Sequence, residues 1–225
     1  MNFDIAVRQV PYFGEPEAGD GYMVYQNEDD LLVVIIDALG HGPNAADLAR
    51  AMERFLNEKA NFDLTWLMQS LHEHFMGSLG AAVTMLHLDC RKNQFSGVGI
   101  GNNLLRKVNH SAQSFHAQPG VVGEMIPTLR QFQGTFQPED WFILTTDGIR
   151  ENLDLHEADV PWTQSSALRI ASYYMDHFSK HHDDATVIVD AFLSVEDKFK
   201  QIAKELADEE APEKAQTMVS RSAAG

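Results

Sequence analysis

Five aspartates in this 225-residue chain stand where carboxylates can act together. Asp37 ends the apolar run of residues 31–36, and Asp147 follows residues 141–146 with Gly148 behind it. Asp183 and Asp184 come immediately before the apolar run 185–191. Asp20 precedes Gly21 and the strand expected to pair with residues 31–37. Strands of one sheet, or of two stacked sheets, can bring such ends to one edge. At about 4 Å and an effective dielectric near 20, each pair of like charges repels by roughly 4 kcal/mol. Convergence therefore requires raised pKa values or a bound cation. Ligands that are all oxygen select hard ions such as Mg²⁺, Mn²⁺ or Ca²⁺ over zinc or copper. Two such ions about 3.5–4 Å apart activate water towards phosphorus without a protein nucleophile. Any one Asp before Gly is more often a turn or a cap, so it is their joint placement against apolar strands that points to a site.

The elements that would position these acids follow from periodicity. Phe3, Ile5 and Val7 alternate with Asp4, Ala6 and Arg8 in a half-buried opening strand. Proline and glycine break the chain between residues 11 and 19. Residues 21–26 and 31–37 form a hairpin around the polar turn 27–30, and its second strand, apolar on both faces, is expected to be covered on both sides. A helix starts near Asn44 with Ala45, Leu48, Ala49, Met52, Phe55 and Leu56 inward. Another follows the N-cap Asp63, with Leu64, Leu67, Met68, Leu71 and Phe75 inward. Strands are expected at 81–89, 94–100, 103–109, 129–136 and 141–145, then a helix over 165–179 and a last strand over 185–191. This order lacks strict βα alternation. It fits an α+β fold, a four-layer αββα sandwich of two antiparallel sheets flanked by helices.

Length and composition set further bounds. With 44% hydrophobic and 22% charged residues, the chain has the make-up of a globular protein with a substantial core. No apolar run reaches the roughly 20 residues that span a bilayer, and the N-terminal residues have no secretory pattern, so a cytoplasmic protein without a membrane partner is expected. Cys90 is the single cysteine, which excludes an internal disulfide and a multi-thiolate zinc site within the chain. The formal charge of −16 argues against nucleic acid, which needs a basic face. The acidity lies in the body of the chain, because residues 195–225 carry seven acids against five bases. Two units are expected: a domain over residues 1–194, and an extension over 195–225. In the extension Phe199, Ile202, Ala203 and Leu206 have helical spacing, and a disordered tail follows.

Five short motifs appear in order: Ala18-Gly19-Asp20, Asp37-Ala38-Leu39-Gly40-His41-Gly42, Gly99-Ile100-Gly101-Asn102, Thr146-Asp147-Gly148-Ile149 and Asp183-Asp184-Ala185-Thr186. In this set the chain resembles SpoIIE-type bacterial phosphatases, a branch of the PPM superfamily, over about residues 3–191. Within the branch it is most similar to RsbX-type members, with which it shares the Leu-Gly-His-Gly variant and Gly80-Ala81-Ala82 before a strand. The resemblance implies a metal-dependent serine/threonine phosphatase using two ions, Mn²⁺ or Mg²⁺. It implies a phosphorylated STAS-domain protein of a stressosome or anti-sigma pathway as substrate. Carried over by position, Asp37 would bridge both metals, and the Ala38 carbonyl would ligate one. Asp147 and Asp183 would hold the second, and Asp20 would act through water or as an outer acceptor. Asp37, Asp147 and Asp183 are the residues expected to carry catalysis. Asp184 is the less direct member of its pair. Position 38 is Ala where most relatives have Gly. Asn102 replaces an acid that holds a third metal in the eukaryotic branch, and no arginine maps onto that branch's phosphate-gripping residue.

Other features have plainer readings. His41 could protonate a leaving hydroxyl or fix its loop. His72 and His74, two apart on a helix, do not face one another, and His181-His182 read as solvated loop residues. Gly40-His41-Gly42 before a helix could cradle phosphate or simply turn. Gly97-Val98-Gly99-Ile100-Gly101 leads into a strand, not the helix a dinucleotide loop needs. The alternative function is a catalytically weak, phosphatase-like binding module. Degenerate members of that kind normally lose a metal aspartate, and here all the main positions are acidic.

Overall fold

The architecture comes from a computed structural model, which describes residues 2–108, 112–151 and 166–193. Among them the order is β1 (Asn2–Val10), β2 (Asp20–Gln26), β3 (Asp30–Ala38), α1 (Pro43–Lys59), α2 (Leu64–His74), β4 (Ala81–Asp89), β5 (Gln94–Ile100), β6 (Leu104–Val108), β7 (Gln113–His116), β8 (Phe132–Thr135), β9 (Trp141–Thr145), α3 (Ala167–Phe178) and β10 (Ala185–Leu193). The strands form two five-stranded sheets, in the orders β1-β10-β9-β6-β7 and β2-β3-β4-β5-β8, and every pairing is antiparallel.

The apolar run in β3 explains the layering. Leu32, Val34 and Ile36 pack with Ala45, Met52, Leu56, Leu67 and Leu71 of α1 and α2. Leu31, Val33 and Ile35 point the other way, towards Leu105, Phe142, Leu144 and Ile188 of the second sheet. That sheet's far face carries Ile143, Val187 and Val189 under Ile170, Ala171 and Tyr174 of α3. The result is the expected αββα sandwich. Each fully buried Leu, Ile or Val contributes roughly 1.5–3 kcal/mol through removal from water, so β3 is bound from both sides.

Local signals place the helices. Pro43 starts α1 with a fixed φ suited to the first helical position. The Asp63 carboxylate accepts the Trp66 N–H at 3.0 Å to cap α2. Ser166 caps α3, whose first turn is also tied to β1 because Asp4 accepts the Ala167 N–H at 2.8 Å.

Beyond shifts of one or two residues at element ends, two details differ from the sequence reading. β7 carries no sequence signal: only Phe115 in Gln113–His116 is a large apolar residue, and an edge strand with exposed neighbours has no alternation to detect. β8 is shorter than the expected 129–136, because the Arg130 N–H donates to the Gln118 side chain at 2.7 Å instead of entering the ladder. The helical spacing at 195–208 and the expected tail lie outside the described residues. No helix among the described residues is long and apolar enough to cross a membrane.

Candidate active site

Antiparallel register sets Asp20 on β2 directly opposite Asp37 on β3. In the other sheet, β9 and β10 are neighbours, so the turn that follows β9 lies beside the loop that precedes β10. Backbone bonds lace these segments together. Lys180 N–H donates to Gly148 O at 2.8 Å, Arg150 N–H donates to Phe178 O at 3.0 Å, and Ile149 bridges Ser179. Glycine is required in this turn, since a Cβ on Gly148 would lie 2.0 Å from Asp184 O. Asp147 and Asp183 thereby come close enough for their charges to act on one another.

Side chains then join the two sheets. Thr146 Oγ1 donates to Asp20 Oδ2 at 2.9 Å and accepts the Thr186 N–H at 2.9 Å. Gln9 Nε2 donates to Asp20 O at 3.0 Å and to Thr186 Oγ1 at 3.2 Å. Asp184 is buried, and its two oxygens accept the N–H groups of Tyr12 at 2.7 Å and Gly19 at 2.9 Å. It anchors both ends of the 11–19 loop. The sequence reading gave Thr146 and Thr186 no role, although both lie within the motifs; their signal is a hydroxyl directly before Asp147 and another two residues after Asp184.

The electrostatics of this edge are those of crowded carboxylates. Burial raises the Asp37 carboxyl to about 8, aided by the charges of Asp20, Asp147, Asp183 and Asp184. Burial also raises Asp20 to about 7 against the opposing hydrogen bonds from Thr186 and Thr146, with Asp184 and Asp147 adding to the rise. Asp147 is raised by burial and by Asp183, while Lys180 and a hydrogen bond from Asn102 pull the other way. Asn102 Nδ2 donates to Asp147 Oδ2 at 2.8 Å, so the residue that replaces an acid orients a carboxylate instead.

All five sequence-predicted aspartates thus meet at one edge. Ala38, the sixth candidate, ends β3 with its N–H donating to Gly19 O at 3.2 Å. It is not among the residues at positive φ, so the backbone there accepts a Cβ without strain. His41 is held rather than free: its Nδ1 lies 3.1 Å from Glu15 Oε1 and its ring stacks on Tyr12 at 4.5 Å. His72 Nδ1 accepts the Gly123 N–H at 3.1 Å, and His74 packs on Phe55 and Phe75. His181 and His182 are exposed.

Among the described residues, no three His, Cys, Asp or Glu side chains are already gathered as a metal-ligand group. The donor set nevertheless suits a hard cation. Its ligands are carboxylates, their mutual repulsion is what a positive ion relieves, and Asp20 Oδ1 is buried with no hydrogen-bond partner.

Comparison with known proteins agrees with this fold. Residues 27–201 match the Stage II sporulation protein E (SpoIIE) family. Phosphoserine phosphatase RsbX of Bacillus subtilis (strain 168) is 22% identical over 145 residues, 64% of this chain and 73% of that protein. A crystal structure of RsbX in complex with magnesium superimposes with a TM-score of 0.70 at 20% identity, covering 84% of this chain and 94% of the other. A chain from a study of the bacterial stressosome, described as a modular system adapted to control secondary messenger signaling, gives 0.75 at 24% identity, covering 84% and 100%. The structural likenesses establish the fold, and the family match spans most of the sequence. The chain belongs to the Stage II sporulation protein E (SpoIIE) family.

Proposed function

We propose that the chain is a metal-dependent phosphoprotein phosphatase that removes phosphate from serine or threonine of a STAS-domain protein in a bacterial stress-signalling pathway. The observation that carries the reading is the meeting of Asp20, Asp37, Asp147 and Asp183 from two sheets at one edge, where burial and neighbouring carboxylate charges raise the pKa values of Asp20, Asp37 and Asp147. Membership of the SpoIIE family and similarity to a phosphoserine phosphatase support the reaction class. A likeness to a chain solved in work on the bacterial stressosome supports the substrate class.

The residues fit two hard divalent ions, Mn²⁺ or Mg²⁺. Asp37 and the Ala38 carbonyl would hold one, and Asp37, Asp147 and Asp183 the other, with Asp20 beside them. When bound, such ions supply Lewis acidity that activates water and neutralises charge on the phosphoryl group. The chain's own contribution is preorganisation. Thr146 fixes the Asp20 carboxylate, Asn102 fixes that of Asp147, and Asp184 pins the 11–19 loop behind them. His41, clamped between Glu15 and Tyr12, holds the loop that follows Ala38. The test is phosphate release from a serine-phosphorylated STAS-domain protein with added Mn²⁺, followed by gel retardation. Loss of the phosphorylated band with wild type but not with Asp147→Asn supports the reading, and equal persistence with both contradicts it.

A further inference from the structure

Leu39 comes directly after Ala38 at the acidic edge, and the residue is 46% exposed. Its N–H donates to Gly80 O at 2.9 Å, which draws the loop between α2 and β4 alongside. A third segment packs there as well: a Cβ on Gly80 would lie 2.3 Å from Val121 Cγ1 and 3.6 Å from Leu39 Cδ1. Val121 and Met125 exchange two backbone hydrogen bonds in a tight turn, and Gly77 N–H donates to Gly123 O at 2.8 Å. These three segments, linked through their backbones, carry the exposed residues Leu39, Met76 (56% exposed), Leu79 (53%) and Met125 (72%) and half-buried Val121. Scattered surface hydrophobics need no explanation, but adjoining ones mark an interaction surface.

We propose that this patch docks the folded protein that bears the phosphorylated residue, through apolar contact beside the phosphosite. The proposal rests on the phosphatase reading above. Charge favours an apolar anchor. The chain carries −16, a phosphorylated residue adds about −1.5 to −2 at neutral pH, and the two repel at long range. Burial of apolar surface is indifferent to that repulsion. Position favours the same occupant, because the patch begins one residue past the Asp37-Ala38 pair. The two methionines are unbranched and adapt to an uneven partner surface.

The full-length chain with Leu79→Asp, Met125→Asp and both together tests this, with Leu79→Ser and Met125→Ser as gentler versions. Each is assayed with Mn²⁺ on p-nitrophenyl phosphate and on a serine-phosphorylated STAS-domain protein. The patch is confirmed if kcat/KM on the phosphoprotein falls at least about tenfold, the loss expected for a central anchor, while the small ester is turned over as before. Unchanged phosphoprotein turnover overturns it, as do equal losses on both substrates in the Ser variants. A wild-type dimer that the variants dissolve, with phosphoprotein turnover intact, reassigns the patch to a second copy and overturns it too. If wild type hydrolyses the small ester but not the phosphoprotein, docking fails while the phosphatase stands. If it hydrolyses neither, the phosphatase reading falls and takes the patch with it.

Discussion

Asp20 and Asp37 are register partners across β2 and β3, so two carboxylates face each other at the end of one strand pair. Like charges placed opposite one another destabilise a sheet. Because the folded pKa of Asp37 is raised to about 8, its contribution is intact below the unfolded value near 3.8 and is lost as pH rises towards 8. Asp37→Asn is therefore expected to stabilise the metal-free protein at pH 7, on the order of 2 kcal/mol. Added Mn²⁺ should raise the Tm of wild type and leave that of Asp37→Asn nearly unmoved. Thermal melts with and without the ion check both halves.

Asp184 behaves differently. Its oxygens are engaged by Tyr12 and Gly19, so Asp184→Ala strands two N–H groups at about 1–3 kcal/mol for each that stays buried. A lower urea midpoint with a retained Mn²⁺-induced Tm shift is expected. Loss of the shift at unchanged stability would make Asp184 a ligand instead.

Asn102 holds Asp147 at 2.8 Å and touches none of the other acids through a hydrogen bond. Removing a residue that orients a ligand commonly costs 10–100-fold in metal affinity or activity. Asn102→Ala should lose about that much turnover of p-nitrophenyl phosphate, with part of the loss recovered at higher Mn²⁺. A titration of rate against the ion provides the check.

Asp190 lies far from this chemistry in mechanism. It is fully buried on β10 between Ile5 and Phe142 as register partners, and neither oxygen has a hydrogen-bond partner. Burial raises its pKa well above the ordinary carboxylate range. Its contribution to stability is thus intact below about pH 4 and declines as pH rises towards the folded pKa. Asp190→Val is expected to gain about 1–3 kcal/mol at pH 7. Asp190→Asn should flatten the loss of stability between pH 4 and 8, measured by urea unfolding at each pH.

Much of this fold is legible in the sequence because its strongest signals are local. The spans of β4, β5 and β9 match the apolar runs, and the two-faced run in β3 correctly implies burial on both sides. The strand-end acids are legible for the same reason: each stands at the boundary of an expected strand. Partnerships between distant segments are not. Nothing local ties Asp184 to Tyr12 and Gly19, or Thr146 to Asp20, because those bonds arise only when the two sheets stack. Asp190 inverts the pattern, as a charge-bearing residue in a strand interior that the alternation rule would turn outward.

The most direct test of the central claim is hydrolysis of p-nitrophenyl phosphate by the purified full-length chain, with and without Mn²⁺, beside Asp37→Asn and Asp147→Asn. Turnover that requires the ion and is lost in both variants, while each remains folded by circular dichroism, is the result expected of a metal centre built from these strand ends. Turnover that survives in either variant, or that proceeds equally without the ion, would contradict it.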